Sequence, residues 1–372
     1  MKIVADENIP FAREAFGSLG EVSVVAGRSV DRASVADADI LLVRSVTKVG
    51  PGLLEGSSVR FVATATIGTD HVDQAYLAGR GITFASAPGS NSNSVAEYIV
   101  AALLVMSERR GHPLEGTSIA VIGVGNVGSK VARYATVLGM QVMRNDPPLA
   151  RESGDPCYRP LDEVIGCGVM TFHVPLTHGG EDRTFHLADG DLLGRISDGA
   201  LFINSSRGAV MDTDAVVAAL DAGRMSAVLD VWEGEPDISR DLLGRTDIAT
   251  PHIAGYSFDG KVNATAAIYR AACACVGAEP SWKPEDDMPA PVVPAITVDC
   301  AGKGEEDTVR EAVRAVYDIR EDDRRLRQDP ARFDLLRKEY PQRREFFNTT
   351  VALKNPSGGV RTKLEGLGFI VT

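Results

Sequence analysis

Ser118-Ile119-Ala120-Val121-Ile122-Gly123-Val124-Gly125-Asn126-Val127-Gly128 reads as an apolar strand running into G-x-G-x-x-G, and residues 129–138 continue with helical character. In that setting the first glycine permits a tight turn, the second lets a pyrophosphate approach the backbone, and the third lets the helix pack closely on the sheet. The helix start then offers free N–H groups and the positive end of its dipole to the phosphates. The glycine pattern alone carries little weight, but here it has its context. The following strand ends at Asp146, eighteen residues after Gly128, where a carboxylate can accept hydrogen bonds from the adenosine ribose hydroxyls. An acid at that place repels a 2′-phosphate, so NAD is expected over NADP, with Arg144 and Arg151 nearby weighing the other way.

Downstream of this motif, residues 169–174, 200–204, 227–231 and 247–250 are further apolar runs, as strands buried on both faces should be. With 118–122 and 141–144 they make six, enough for a doubly wound parallel sheet. Upstream, residues 2–6, 22–25, 40–44, 60–65 and 82–85 read as strands alternating with helical stretches such as 11–19 and 72–78, which predicts a second parallel α/β unit. A long apolar helix over 94–108, broken at Gly111 and Pro113, separates the two series. A helix over 263–276 is placed to cross back to the first unit, making it discontinuous in sequence. Five prolines between 279 and 294 mark an extended connector. Beyond it, residues 296–299, a charged helical run 305–327, 333–336, a mixed-charge stretch 338–345, 351–353 and 368–371 form a small α+β unit, read as an association module.

Length and composition agree with several soluble domains. The chain has 372 residues, 44% hydrophobic and 24% charged, and no apolar stretch approaches the ~20 residues of a membrane span. The start, Met1-Lys2-Ile3-Val4-Ala5-Asp6, reaches an acid quickly and lacks the apolar core of a secretory signal, so a cytoplasmic address is expected. Five cysteines without CxxC spacing indicate reduced thiols, with neither a disulfide framework nor a metal site. A net charge of −12 argues against nucleic-acid and anionic-membrane partners. An anionic substrate would need locally placed cations and backbone amides.

Three segments of the second series each end a strand with a polar residue of obvious use. Asn204-Ser205-Ser206-Arg207-Gly208, Asp230-Val231-Trp232-Glu233-Gly234-Glu235-Pro236 and Pro251-His252-Ile253-Ala254-Gly255-Tyr256 all fall at carboxyl ends, where such sheets bind ligands. Oxidising a 2-hydroxy acid needs a cation for the carboxylate, a base for the hydroxyl proton and a carboxylate to tune that base. Arg207, His252 and Glu235 supply one of each. Taken singly they read as a loop cation, a packing histidine and a solvated turn; together, after a complete dinucleotide motif, they read as catalytic. His71, His112, His173, His178 and His186 show no comparable partners in sequence, and His173 is expected to line the cofactor cleft.

These stretches, with Gly123–Gly128 and Asp146, resemble the motifs of the D-isomer-specific 2-hydroxyacid dehydrogenases over roughly residues 1–280. The resemblance implies an α/β fold in three parts. A flavodoxin-like substrate-binding domain takes residues 1–93 plus 256–285, a Rossmann-type NAD-binding domain 94–255, and a small α+β C-terminal dimerisation domain 286–372, making a homodimer. It implies Arg207, Glu235 and His252 as the catalytic trio. As cofactor contacts it implies Asn126, Val127, Asp146, Val174, Ser206, Asp230 and Gly255, joined by Ser205 and by Gly123, Gly125 and Gly128 of the turn.

Further stretches resemble the branch of that family that acts on a phosphorylated acid: 3–10, 43–49, 64–71 and 231–236, and in the tail 332–340 and 343–346. Such an acid needs cationic and hydrogen-bonding groups at the end far from Arg207. The resemblance assigns Ser45, Thr66 and Tyr256 to it, and Arg44 and Lys48 are cations in the same region. Two other readings stand beside this one. A 3-phosphoglycerate dehydrogenase shares fold and cofactor, but the charged 305–345 region does not look like the ferredoxin-like regulatory tail of its long forms. A catalytically idle NAD-sensing protein would have no need of the intact trio.

Overall fold

The computed structural model describes residues 1–356 and 358–372. The chain divides into two compact units, Met1–Asn91 with Tyr256–Ala290, and Ser92–Gly255 with Pro291–Thr372.

In the first unit, β1 (Lys2–Asp6), β2 (Glu21–Val25), β3 (Ile40–Val43), β4 (Phe61–Thr64) and β5 (Thr83–Ala85) pair in parallel in the order β2-β1-β3-β4-β5. This is the flavodoxin-like order. Two of the three interior strands, β3 and β4, are buried along their whole length, which explains their largely apolar sequences. One face of the sheet packs against Ala264, Ile268, Tyr269 and Ala272 of the helix Phe258–Val276, so residues from beyond the second sheet complete this unit. The opposite face is covered by Leu53, Leu54 and Leu77.

The second unit holds β6 (Ser118–Ile122), β7 (Gln141–Asn145), β8 (Val169–Phe172), β9 (Ala200–Asn204), β10 (Met225–Leu229) and β11 (Ile248–Ala249), all parallel, in the order β11-β10-β9-β8-β6-β7. A parallel bridge between Arg144 and Tyr158 extends the sheet past β7. With that bridge the order is the Rossmann one, and its direction reverses between β6 and β8, where the glycine turn lies. The bridge has no apolar run behind it, only Asp155-Pro156-Cys157-Tyr158, so hydrophobic periodicity does not find it. The helix Ser92–Arg110 is buried from Ser92 through nearly every residue to Ser107, and Gly111, at φ +64°, ends it in the left-handed region that glycine adopts without strain.

The last eighty residues carry their own parallel sheet, β12 (Ala295–Asp299), β13 (Thr350–Lys354) and β14 (Ile370–Val371). The charged run 305–327, expected as one helix, is two: Glu305–Val316 and Ile319–Gln328. Tyr317 turns extended (φ −143°), and Asp318 caps the second helix by accepting from Arg320 N–H. This region is built into the second unit. Leu326 and Phe333 are fully buried in the core formed by Leu229, Trp232 and Ala249. Asp323 accepts the Ala249 N–H at 2.7 Å, while Arg327 donates to the carbonyls of Leu243 and Thr246 at 2.8 and 2.5 Å. The Ala249 N–H of the two-residue edge strand β11 is thereby paired, and two carbonyls at the end of the preceding helix Arg240–Arg245 are capped. Among the described residues no helix is long and apolar enough to cross a membrane, and all five cysteines are free thiols.

Candidate active site

Every cofactor and catalytic candidate of the second unit lies just past the carboxyl end of a strand of its sheet: Gly123–Gly128 after β6, Asp146 after β7, Val174 after β8, Ser205, Ser206 and Arg207 after β9, Asp230 and Glu235 after β10, His252 and Gly255 after β11. The glycine turn is closed by contact. Gly123 sits at φ +84°, and a Cβ on Gly128 would come within 1.9 Å of the Gly123 carbonyl oxygen. A Cβ on Gly125 would meet nothing within 4 Å, so its backbone faces open space. Asp146 braces this turn, accepting from Val124 N–H at 2.7 Å through one oxygen and from Leu149 N–H at 3.0 Å through the other. A dinucleotide fits these residues: an open backbone at Gly125, the start of the helix Gly128–Val137, and a carboxylate fixed beside them.

His173 follows β8, with Nε2 2.9 Å from the Thr171 hydroxyl. Desolvation pushes its pKa down to about 3, so the ring is neutral at physiological pH.

Arg207 is set by a buried asparagine. Asn204 Oδ1 accepts from Ser206 N–H and Oγ–H, and its Nδ2 donates to the Arg207 carbonyl at 2.9 Å. The next residue, Gly208, leaves no room for a side chain, because a Cβ there would lie 2.0 Å from the Trp232 carbonyl carbon. The arginine turn and the Trp232–Glu235 turn are therefore in backbone contact.

Glu235 and His252 are brought together. Glu235 Oε2 lies 2.8 Å from His252 Nδ1, and Oε1 accepts the Trp232 N–H at 2.8 Å. Burial pushes the Glu235 pKa upward, but the facing imidazole and the hydrogen bonds outweigh it, and the net shift is downward. Among the described residues His252 Nε2 has no hydrogen-bond partner, so that nitrogen is open to a substrate. His252 itself has φ +56°, a conformation that L-residues rarely adopt and that its loop must enforce. Asp230, 1% exposed, supplies much of that enforcement. Its backbone carbonyl accepts His252 N–H at 2.7 Å, and its carboxylate accepts Ile253 N–H, Ala254 N–H and the Thr250 hydroxyl at 2.6–2.9 Å. Burial pushes the Asp230 pKa up in spite of these donors. The Tyr98 hydroxyl, fully buried, joins Thr250 at 2.8 Å.

One histidine set aside in the sequence reading has a partner after all. His186 Nε2 lies 2.7 Å from Glu233 Oε1, forty-seven residues away along the chain. That pairing depends on His186 at φ +51°, which local sequence does not reveal.

In the first unit, Arg44 and Ser45 follow β3 and Thr66 follows β4, again at carboxyl ends. The Arg44 guanidinium lies 5.9 Å from the centre of the Tyr256 ring, and Lys261 Nζ lies 4.5 Å from it. Thr66 donates to the Gly68 carbonyl at 2.8 Å. Ser45 and Lys48 are exposed. Residues to which the sequence reading assigned no role of their own, Asn204, Thr250, Tyr98 and Trp232, organise the loops of the second unit. Their only local signal is that each is polar, or carries a polar tip, in an otherwise apolar run.

Comparison with known proteins agrees with this arrangement. Residues 95–254 match the model of the D-isomer specific 2-hydroxyacid dehydrogenase, NAD binding domain, and residues 288–368 match a domain of unknown function, DUF3410. The erythronate-4-phosphate dehydrogenase of Tolumonas auensis is 44% identical, with all of both chains covered. That of Citrobacter koseri is 44% identical over 99% of this chain and 98% of its own. Among solved structures, a D-lactate dehydrogenase from Aquifex aeolicus complexed with NAD and lactic acid superposes with a TM-score of 0.62 at 25% identity, over 74% of this chain and 96% of its own. Conserved length, the NAD-binding domain and the shared α/β architecture lead to one assignment: the chain belongs to the erythronate-4-phosphate dehydrogenases, within the D-isomer-specific 2-hydroxyacid dehydrogenase family.

Proposed function

We propose that this chain oxidises 4-phospho-D-erythronate at C2 to (R)-3-hydroxy-2-oxo-4-phosphobutanoate, a step of pyridoxine (vitamin B6) and pyridoxal 5'-phosphate biosynthesis. The observation that carries the chemistry is the 2.8 Å contact of Glu235 with His252 Nδ1, which leaves Nε2 open. The observation that carries the substrate is 44% identity to erythronate-4-phosphate dehydrogenases over the full chain. Bound here, NAD would supply the acceptor for the hydride that leaves C2. His252 takes the hydroxyl proton at Nε2, and Glu235 holds the ring by Nδ1 and stabilises the imidazolium that results. Arg207 binds the substrate carboxylate with its guanidinium fork. Gly123, Gly125, Asn126, Val127 and Gly128 hold the pyrophosphate end of the cofactor and Asp146 its ribose. Val174, Ser205, Ser206, Asp230 and Gly255 line its path. Ser45, Thr66, Arg44 and Tyr256 bind the phosphorylated acid. Residues 286–372 form the contact of a cytoplasmic homodimer.

The test is reduction of NAD followed by NADH absorbance, with 4-phospho-D-erythronate and 3-phospho-D-glycerate in parallel. Each is run with and without an added 2-oxo acid, in case bound NADH traps the enzyme. Preference for the four-carbon acid is expected. Preference for the three-carbon acid would move the chain to serine synthesis, and NAD binding with silence toward both, with or without the oxo acid, would support the idle sensor.

A further inference from the structure

The loop that carries His252 is fixed from two sides. Its N–H groups point to Asp230, as described. Its outgoing carbonyl, that of Ala254, accepts from Arg343 Nη2 at 3.2 Å, and the same nitrogen donates to the Ser94 carbonyl at 2.9 Å. Arg343 comes from the C-terminal part of the second unit, eighty-nine residues beyond Ala254. It is 7% exposed, and its guanidinium stacks on the Tyr317 ring at 4.2 Å. Tyr317 and Tyr340 both donate to Asp322 Oδ2, at 3.1 and 2.9 Å. The extended turn at Tyr317, which splits the expected helix 305–327, is what brings that ring under the guanidinium.

A buried guanidinium in this place is costly unless it is used. One of its terminal nitrogens, Nη2, spans two carbonyls, one at the start of the helix Ser92–Arg110 and one at the end of the loop that carries His252, while the flat group lies on an aromatic face. A loop holding a non-glycine residue at φ +56° relaxes when either set of ties is removed. We propose that Arg343 is a positioning residue for the dehydrogenase reaction: through the Ala254 carbonyl, the C-terminal region holds the loop that aims His252. The proposal rests on the reading of His252 as the base.

The experiment compares Arg343→Met and Arg343→Lys with Arg327→Met in the full-length protein. Arg327 ties the same C-terminal region to the Leu243 and Thr246 carbonyls and to Asp323 Oδ1, and among the described residues it makes no hydrogen bond to the loop that carries His252. For Arg343→Met, kcat should fall about ten- to a hundredfold, as a misplaced base allows. The pH profile of kcat should shift, and NAD affinity should stay within about threefold of the wild type. Arg343→Lys should restore part of kcat, since the ammonium can still reach a carbonyl. Arg327→Met should lower thermal stability and leave kcat and its pH profile in place. If Arg343→Met folds but keeps full kcat, or if Arg327→Met loses as much kcat with the same profile, the positioning role is wrong. If Arg343→Met does not fold, the lysine variant decides: wild-type kcat and pH profile there overturn the proposal. His252→Asn is run alongside. Full activity in that variant would sink the base assignment itself, whereas an inactive His252→Asn with an unaffected Arg343→Met would sink only the positioning role.

Discussion

Two histidine–glutamate pairs are set within one unit, both on turns after strands of the same sheet or beside them, and both histidines occupy the left-handed backbone region, His186 at φ +51° and His252 at φ +56°. Their ring-to-carboxylate distances hardly differ, 2.7 and 2.8 Å. What differs is the remainder of each pair. Glu233 also accepts the N–H and hydroxyl of Thr213 at 3.0 and 2.6 Å, the second nitrogen of His186 faces Asp212 at 3.8 Å, and the His186 ring lies stacked on Phe185 at 4.0 Å. His186 is thus engaged on both nitrogens and one face, as a clamp between loops. Among the described residues His252 is engaged on one nitrogen only, and the loop beneath it is tied by Asp230 and Arg343. The histidine–carboxylate contact therefore does not separate the two; the open second nitrogen on a fixed backbone does, and it is the feature on which the proposed role of His252 rests.

Replacing the two histidines separately should split these roles most widely. His252→Asn should lower kcat about 10²–10⁴-fold, the usual contribution of a general base, with NAD binding intact. His186→Asn should leave kcat within a few-fold and lower thermal stability by about 1 kcal/mol, since the pair is half-buried and partly screened. Steady-state kinetics and thermal melts of both variants make the comparison, and similar losses of kcat in the two would abolish the distinction. The carboxylates should follow with smaller effects. Glu235→Gln keeps a hydrogen-bonding group near Nδ1 but removes the charge that favours the imidazolium, so a fall in kcat of about 10–10²-fold is expected. Glu233→Gln should change kcat little. Single-turnover rates of NADH formation would show whether the Glu235 effect lies in the chemical step.

Much of this contrast lay outside the reach of local sequence. The turn Gly123–Gly128, the apolar strands and the placement of Arg207, Glu235 and His252 after successive strands are all readable, because each depends on residues a few positions apart. The features that separate the two pairs depend on residues far apart in the chain. His186 reaches Glu233 only because its backbone turns left-handed, Thr213 joins from a separate helix start, and Arg343 reaches Ala254 from the last thirty residues. The Tyr158 bridge at the sheet edge and the break at Tyr317 fail for a related reason: one has no apolar run, and the other interrupts a helical pattern with a residue whose ring is wanted elsewhere. Periodicity reports which face of an element is buried and says little about which loop closes on which.

Another histidine of this unit, His173, offers the smallest effect, that of desolvation with no carboxylate bonded to the ring among the described residues. It follows β8 and has hydroxyl neighbours in Thr171 and Ser205. Desolvation holds its folded-state pKa near 3, against 6.5 for an ordinary imidazole. The unfolded chain therefore takes up a proton at this residue as pH drops below 6.5, while the folded protein refuses it until far lower. His173 contributes stability that is fully present above pH 6.5 and is lost progressively as pH falls toward 3, with a slope of at most about 1.4 kcal/mol per pH unit. In His173→Gln, which cannot charge, that slope should flatten, whatever the variant's stability at neutral pH. Urea unfolding of both proteins at pH 7, 6 and 5 measures it. Equal slopes in the two would mean that the ring is not held neutral by its surroundings, and that burial at the end of β8 does not set its charge.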